Sequence, residues 1–165
     1  MKLLIVFISV LCLNSMSLDV NTVRIAYKEA AHDKTKVEAF HKLLSKITKE
    51  DNITLVAYKG AAISLMGKHA KKVKDRKDLF IEGVSFIEFA IQKAPNNIEV
   101  HFIRLGIQEN SPKLLKYKSN IEEDKHFILK QFSAIKSSVL KKHIQDYILQ
   151  SKAFNDTEKA LILRS

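Results

Sequence analysis

Three polar side chains share one face of an otherwise apolar stretch and are the residues of this chain best suited to hold a ligand. His101, Arg104 and Gln108 follow one another at intervals of three and four residues, the spacing of one helix face. The planar guanidinium of an arginine can hold a carboxylate through two parallel hydrogen bonds. The pattern therefore predicts a polar patch in a groove that binds a peptide or a carboxylate.

The same three residues also have a structural interpretation, because buried polar groups usually find their partners within the fold. In that interpretation Arg104 and Gln108 bond to backbone carbonyls of the segment 110–120 and tie it to the helix. Arg104 could also pair with Glu99 or Asp124. The sequence favours this interpretation and leaves the binding role as its alternative.

A second candidate is the segment 68–77, where positive charge is concentrated. Six of its ten residues are Lys or Arg and Asp75 is its one acid, which gives a local net charge of +5. The basic side chains are Lys68, Lys71, Lys72, Lys74, Arg76 and Lys77. We expect a basic loop, or alternatively the extension of a neighbouring helix, that either attracts an anionic surface, such as anionic lipid, or is simply a solvated face.

The whole chain carries a formal net charge of +10, which favours anionic partners. Anionic lipid, an acidic protein and an acidic polysaccharide all fit this charge. Nucleic acid is not expected, because no aromatic residues are interleaved with the lysines of 68–77 to stack on bases. The partner itself, a protein or peptide in our main hypothesis, is not identified by the sequence.

Several catalytic chemistries have no counterpart in the sequence. The six histidines include no pair four residues apart, and there is no His-Glu-x-x-His, Gly-x-Ser-x-Gly or phosphate-binding glycine loop. Glu122, Glu123 and Asp124 are best explained as acids in the first turn of a helix, where they complement its dipole. The sequence thus predicts a protein that is not an enzyme and holds neither a metal nor another cofactor.

The first 17 residues differ in kind from the rest of the chain. Lys2 is followed by an apolar run from Leu3 to Leu13 that only Ser9 interrupts, and Ser15 and Ser17 offer small residues for cleavage. This run is shorter than the roughly 20 residues that span a bilayer. The pattern predicts a secretory signal peptide at 1–17 and an exported mature chain from about Leu18, with an uncleaved anchor as the alternative.

Cysteine usage refines the predicted location. The single cysteine, Cys12, lies inside the predicted signal, and Leu11 before it is too large for a lipoprotein signal, so lipidation is not expected. The mature chain can therefore form no disulfide. Export without disulfides fits a bacterial periplasm or cell surface better than a eukaryotic secretory route.

Length and composition favour a single helical domain over residues 18–165. The chain has 165 residues, of which 46% are hydrophobic, with nine Phe but only four Gly and two Pro. No segment alternates between polar and apolar residues for long enough to predict a strand. We expect an all-α fold.

The stretch 79–110 predicts two helices joined by a tight corner, around which the other elements are organised. In the first helix, apolar residues recur at helical spacing: Phe80, Val84, Ile87 and Ile91. Pro95 ends this helix, because proline lacks an N–H and restricts the residue before it. Asn96 is predicted to cap the second helix, with Glu99 completing a capping box.

Further capping residues predict where other helices begin. These are Asp33 or Thr35, Asp51 and Asn52, Ser111 before Pro112, Asn120 with Glu123, and Asn155 with Glu158. Gly60 lies inside a predicted helix, where glycine costs about 1 kcal/mol relative to alanine. We expect close packing against the helix at 79–93 to compensate for this cost.

The spacing of small residues in the central hairpin resembles a tetratricopeptide repeat. Gly83, Ala90 and Pro95 occupy the positions that such repeats hold small, small and Pro, and Leu105-Gly106 resembles the Leu-Gly pair of the following helix. The match covers about one and a half repeats, and no 34-residue period runs through the chain. The resemblance implies stacked antiparallel helical hairpins in a short, irregular array.

A second resemblance covers nearly the whole mature chain. The segments that carry it are Arg104-Leu105, 108–112 and 120–125, with Tyr58 and Gly60-Ala61 upstream. They look like an uncharacterised family of exported bacterial helical proteins. This resemblance implies a helical fold and an exported location, and it brings no activity with it.

Two functional hypotheses follow from the sequence. The first is an exported, non-enzymatic protein-interaction or scaffold module with a groove lined by the helix at 98–110. The second is a peripheral membrane protein that binds anionic lipid through its basic loop.

Overall fold

The computed structural model describes residues 18–164, and within this range all regular structure is helical. The eight α-helices are α1 (Val20–His32), α2 (Val37–Leu43), α3 (Ile53–His69), α4 (Val73–Lys93), α5 (Ile98–Asn110), α6 (Ile121–Gln131), α7 (Ser138–Gln150) and α8 (Asp156–Leu163). The predicted all-α class is confirmed. None of these helices is both long and apolar enough to cross a membrane. The predicted signal peptide at 1–17, with Cys12, lies outside the described residues.

Consecutive helices pack in pairs, and α3 with α4 is the most extensive pair. The others are α1 with α2, α5 with α6, and α7 with α8. The first helices of successive pairs also touch, so α1, α3, α5 and α7 form one continuous row. Hairpins are thus stacked side by side, while the closer similarity to a tetratricopeptide array stays a prediction.

Two glycines allow α3 and α4 to cross at very short range. A Cβ atom on Gly60 would lie 2.5 Å from the carbonyl oxygen of Gly83, and a Cβ on Gly83 would lie equally close to the Gly60 carbonyl. Such distances are impossible for real side chains, so both positions require glycine at the present helix separation. The predicted close packing of Gly60 against the helix at 79–93 is confirmed.

One continuous cluster of buried apolar side chains runs from Val23 of α1 to Ile162 of α8. Its largest fully buried members are Tyr58, Phe40, Phe102, Phe132, Leu44, Ile87, Ile103, Leu105, Ile128, Ile144 and Ile148. The cluster draws on all four hairpins. Burial of this shared apolar surface is what holds the stack together.

A buried ion pair ties α1, α3 and α5 to one another. Arg24 of α1 donates from Nε and Nη2 to the two carboxylate oxygens of Glu99, each at 2.6 Å. The Tyr58 hydroxyl of α3 donates to the same carboxylate at 2.8 Å. Three of the four first helices are therefore fixed relative to one another by the side chain of Glu99.

Two predicted helix caps are confirmed: Asn52 and the box of Asn155 with Glu158. Asp33 caps the 3₁₀ turn Lys34–Lys36 that leads into α2, and α2 itself has no side-chain cap. Asp51 does not cap α3, because its carboxylate accepts from the Thr48 N–H at 2.7 Å. Asn52 accepts a hydrogen bond from the backbone N–H of Thr54 at 3.0 Å. In the box, Asn155 accepts from the Glu158 N–H at 2.9 Å, and the Glu158 carboxylate accepts from the Asn155 N–H at 2.8 Å. Each cap satisfies N–H groups that the first turn of a helix leaves unpaired.

The predicted cap of α5 is wrong by one residue. Asn97, and not Asn96, accepts hydrogen bonds from the N–H groups of Glu99 at 3.0 Å and Val100 at 3.3 Å. Glu99 does not complete a capping box, because its carboxylate is turned toward Arg24 and held there.

The predicted helix start at Asn120 is confirmed, because α6 begins at Ile121, but the predicted capping box does not form. Asn120 makes no capping bond, and its amide donates to the Glu123 carboxylate at 2.8 Å. The predicted helix start with Ser111 as its cap is wrong. Ser111 ends α5, where its hydroxyl donates to the Gln108 carbonyl at 2.8 Å. Pro112 then precedes a short 3₁₀ turn and not an α-helix.

Most of the segment 68–77 is helical and not the predicted loop, in line with the alternative of a helix extension, because α3 continues to His69 and α4 begins at Val73. Only residues 70–72 form the turn between them. Arg76 stabilises this turn by donating from Nε to the Ala70 carbonyl at 2.7 Å and from Nη2 to the Lys71 carbonyl at 3.4 Å. We call residues 68–77 the basic corner.

Candidate functional site

The predicted polar patch on α5 is a buried network and not an open surface. The exposed fractions of His101, Arg104 and Gln108 are 4%, 3% and 0%. Asp124 of α6 covers the first two. Its carboxylate lies 2.6 Å from His101 Nδ1 and accepts from Arg104 Nε at 2.8 Å and Nη2 at 2.7 Å.

The remaining bonds of this network also stay within the fold. His101 Nε2 lies 2.9 Å from the Pro95 carbonyl oxygen, and the imidazole stacks on Phe127 with ring centroids 4.0 Å apart. Gln108 Nε2 donates to the Asn120 side chain at 3.4 Å. A partner could reach these groups only if α6 moved away. The partner-binding role of the patch stays a prediction, and this burial argues against it.

The structural interpretation named two possible partners for Arg104, and the pairing with Asp124 is confirmed. Arg104 does not form the expected hydrogen bonds to backbone carbonyls of 110–120. Its guanidinium donates instead to the carboxylates of Glu88, Glu123 and Asp124. Burial by itself would lower the pKa of Arg104. The hydrogen bonds and charge of Asp124 outweigh it and raise the pKa above its usual value.

The basic corner presents its charges to solvent, as all six of its predicted basic residues are exposed. Val73 stands among them with 78% of its surface exposed. Lys68 differs from the other five, because it also lines a cleft on the adjoining face of α3.

This cleft lies between α1, α3, α5 and α7, the first helices of the four hairpins, and has a volume of about 550 Å³. It is lined by Tyr27, Lys28, Ala31, His32, Leu65, Lys68, Phe102, Gly106, Ile107, Glu109, Asn110, His143, Asp146, Tyr147, Gln150, Ser151 and Lys152. Its volume falls in the range typical of sites for small molecules. We call it the four-helix cleft.

Four aromatic rings from three helices form much of the wall of the four-helix cleft. Phe102 lies at the centre, with ring centroids 5.0 Å from His143, 5.1 Å from Tyr147 and 6.1 Å from Tyr27. All three pairs are edge-to-face, the arrangement that aromatic quadrupoles favour. The rings therefore support one another in fixed orientations.

Two polar groups in this wall lack a hydrogen-bond partner among the residues that the structure describes. One is the hydroxyl of Tyr27, a residue whose exposed fraction is only 7%. The other is Nε2 of His143. Burial raises the pKa of Tyr27 and lowers the pKa of His143 to about 4, so both side chains are neutral at pH 7.

Gly106 of α5 makes room for the Tyr27 hydroxyl. A Cβ atom at this position would lie 2.9 Å from the hydroxyl oxygen, and the next nearest side chain, Tyr147, is 3.9 Å away. An alanine would therefore press on Tyr27 and on little else. Gly106 thus allows the tyrosine to point its oxygen toward the cleft.

The carboxylate of Glu109 joins α5 to the end of α7 at one side of the cleft. It accepts from the Tyr147 hydroxyl at 2.5 Å, the Ser151 hydroxyl at 2.8 Å and the Lys152 backbone N–H at 2.7 Å. Burial alone would raise the pKa of Glu109, but these donors hold it below its usual value. Glu109 is therefore ionised at neutral pH, with its lone pairs largely occupied.

The charges around the cleft divide into paired and unpaired groups. Lys28 bonds to Asp146 at 2.9 Å, and Asp146 also accepts from Lys142 at 2.5 Å. The ammonium groups of Lys68 and Lys152 have no ion-pair partner within residues 18–164. Glu109 is also ionised and has only neutral donors, so the three lysines and two acids that line the four-helix cleft leave it a net charge of +1.

The wall of the cleft holds one serine, Ser151, which donates its hydroxyl hydrogen to the Glu109 carboxylate. That carboxylate also accepts from Tyr147 and from the Lys152 backbone N–H. Among residues 18–164 no group of three His, Cys, Asp or Glu side chains is placed to hold a metal ion. What the cleft offers is an aromatic wall, two unpartnered polar atoms and two unpaired ammonium groups.

Helix α5 lines this cleft, but with a different face from the predicted one. His101 and Arg104 point toward α6, whereas Phe102, Gly106 and Glu109 line the cleft. The cleft residues cannot be recognised in the sequence, because they come from four distant segments. The available signal was the apolar character of α5 on more than one side, which indicates a helix with neighbours all around it.

Comparisons of this chain with protein families, with curated proteins and with solved structures find no match.

Proposed function

We propose that this protein is a non-enzymatic interaction module of the cell exterior and that a small ligand, or a small group of a larger partner, occupies the four-helix cleft. The exported location comes from the signal-like first 17 residues. The binding role comes from the geometry of the cleft. The proposal keeps the expected interaction module but moves its site from His101, Arg104 and Gln108 to the opposite side of α5.

The observation that carries the proposal is the aromatic wall together with the Tyr27 hydroxyl, which makes no hydrogen bond within residues 18–164. This oxygen is not among the fully enclosed unpartnered atoms, which include His143 Nε2, so it is open to the cleft. A ligand in the cleft could bond to the Tyr27 hydroxyl without any rearrangement of the wall. The aromatic walls would at the same time bury its apolar part.

Ligand-observed NMR with a set of small neutral, anionic and cationic fragments tests this proposal on the mature chain. Ala31→Trp places a large ring at the exposed mouth of the cleft without entering the core. Ala39→Trp adds the same ring at an exposed position of α2 that does not line the cleft. We expect fragments to bind the wild-type chain and the Ala39→Trp variant, and to lose binding in Ala31→Trp.

Two results would overturn the proposal. The first is that no fragment, whether neutral, anionic or cationic, binds the wild-type chain. The second is that fragments still bind to Ala31→Trp although this variant is folded. Thermal unfolding of both variants shows whether each is folded. Loss of fragment binding in a folded Ala31→Trp variant can then be distinguished from loss of binding caused by unfolding.

A second candidate function is docking on anionic lipid through the basic corner, and the exposure of Val73 favours it. An apolar side chain that is 78% exposed among lysines can insert at the level of lipid head groups. Each basic residue near such a surface contributes about 1 kcal/mol. This hypothesis leaves the four-helix cleft free and can hold together with the first.

Vesicle pelleting at low and moderate salt tests the second candidate, with phosphatidylglycerol vesicles compared with phosphatidylcholine ones. Neutralising the corner uses four substitutions to glutamine, at Lys71, Lys72, Lys74 and Lys77. The matched control neutralises four exposed lysines elsewhere: Lys34, Lys36, Lys130 and Lys136. We expect more than tenfold weaker binding to the anionic vesicles for the corner variant only. Equal loss of vesicle binding in both variants would show that the total charge of the protein, and not the basic corner, attracts the vesicles. That result would overturn this candidate.

A further inference from the structure

We infer that the ligand of the four-helix cleft is a small organic carboxylate with an apolar, ring-sized body. The inference rests on the proposed function and names the chemical class of its ligand. It depends on three properties of the cleft: its acids are occupied, its free groups are donors, and its interior is apolar.

The acids of the cleft have little capacity left for a cationic ligand. Glu109 already accepts from Tyr147, from Ser151 and from the Lys152 backbone at 2.5–2.8 Å. Asp146 is held by Lys28 and by a second lysine of its own helix. A ligand ammonium group would have to displace these internal donors.

The free groups of the cleft are mainly donors. Lys68 and Lys152 bring ammonium groups without partners among the described residues, and each can donate three hydrogens. The Tyr27 hydroxyl stays protonated because burial raises its pKa. Donors without partners are best satisfied by an anion, and hydrogen bonds to an ionised oxygen are about twice as strong as neutral ones.

The remaining wall is apolar and matches a ligand body of ring size. Leu65, Phe102, Ile107 and the ring of Tyr147 line it. A volume of about 550 Å³ holds a small molecule but not a folded partner. The formal charge of +10 on the whole chain adds long-range attraction for an anion and repulsion for a cation.

Three probes with one skeleton test the charge preference: 3-phenylpropanoate, 3-phenylpropanamide and 3-phenylpropylamine. NMR titrations of the mature chain at pH 7 give a dissociation constant for each. We expect the carboxylate to bind at least tenfold more tightly than the amide, and the amine to bind more weakly than both.

Variants locate the effect in the cleft. Tyr27→Phe removes an oxygen that has no partner within the described chain, so we expect an unchanged fold and about tenfold weaker carboxylate binding, the value of one hydrogen bond to a charged group. Lys68→Gln with Lys152→Gln should reduce carboxylate binding by a similar factor and leave amide binding unchanged. The control, Lys71→Gln with Lys72→Gln, removes equal charge outside the cleft and should change neither.

The outcomes separate this inference from the proposed function. Tighter binding of the amine would identify an aromatic site for cations, and equal binding of amide and carboxylate an apolar site without charge preference. Either result overturns the carboxylate class while the four-helix cleft stands as a binding site. If none of the three probes binds, the class is also wrong, and the fragment experiment with Ala31→Trp then decides whether the cleft binds anything.

Discussion

Arg104 of α5 donates two parallel hydrogen bonds to the carboxylate of Asp124 in α6, with Nε 2.8 Å from Oδ2 and Nη2 2.7 Å from Oδ1. Both side chains are almost completely buried. A charge in such a position must keep its partner, because an isolated ion in the interior loses its hydration without compensation. The pair therefore makes the α5–α6 hairpin depend on one carboxylate.

Replacing Asp124 by Asn should destabilise the protein by about 3–5 kcal/mol, the usual cost of breaking a buried ion pair from one side. Asparagine keeps the shape of the side chain but leaves the Arg104 charge with only its longer contacts to Glu88 at 3.4 Å and Glu123 at 3.3 Å, both on more exposed carboxylates. Urea denaturation followed by circular dichroism measures the change. Glu122→Gln removes a carboxylate from the same helix turn, but from an exposed pair with Lys125, and should cost less than about 1 kcal/mol. Equal costs for the two variants would refute the importance of the buried pair.

Gly83→Ala should destabilise the protein by about 1–3 kcal/mol or more, because overpacking forces α3 and α4 apart. The new Cβ would overlap Ser64 and lie 2.5 Å from the Gly60 carbonyl. Ser85→Ala, two residues further along α4 on its exposed side, serves as the control and should change stability by less than about 0.5 kcal/mol. Thermal unfolding of both variants tests this, and a Gly83→Ala variant as stable as wild type would show that the helix crossing tolerates a wider separation.

Gly106→Ala and Tyr27→Phe should be strongly coupled. Alanine gains about 1 kcal/mol over glycine in a helix, but here its Cβ meets the Tyr27 hydroxyl at 2.9 Å. We expect Gly106→Ala to be more favourable by about 1 kcal/mol or more in the Tyr27→Phe background than alone. A double-mutant cycle from urea denaturation measures this coupling. Strict additivity would mean that the hydroxyl moves away from Gly106 without cost.

The stability of the protein should fall between pH 6.5 and pH 4 partly because of His143. Burial lowers the pKa of His143 to about 4 in the folded chain, against an ordinary value of 6.5. Over this interval the unfolded chain binds the proton and the folded chain does not, so acidification favours unfolding. Stability curves of the wild type and His143→Gln should converge or cross as the pH falls, because the variant lacks this loss. His126→Gln, at an exposed position, should keep the wild-type slope.

The helix caps show which features a sequence can predict. Asn52 and Asn155 were predicted correctly, because each cap involves only residues two or three positions away. Glu99 followed the same local pattern and failed, since Arg24 and Tyr58 bind its carboxylate from 75 and 41 residues away. A hydrogen bond between residues that are close in sequence can be predicted from their spacing. A partner from a distant part of the chain can replace such a bond, and that partner is known only from the packed structure.

The candidate site was predictable only in outline. The sequence predicted that the helix at 98–110 lines a groove, and it placed His101 and Arg104 there as the polar residues of that helix. In the structure those side chains face α6, and the cleft is on the other side, where Tyr27 and His143 meet α5. A helix buried on all sides does not reveal from its own residues which neighbour covers which face. The free polar atoms belong to α1 and α7, and no spacing in the sequence links them.

The position of the four-helix cleft has a mechanical consequence. In a row of hairpins most contacts join neighbouring units. Here the first and last units also meet, through the bond of Lys28 to Asp146 and through the rings of Tyr27 and His143, whose centroids are 6.3 Å apart. A molecule seated in the cleft between α1 and α7 would strengthen this existing link, and proteolytic nicking at either terminus would slow once it is bound.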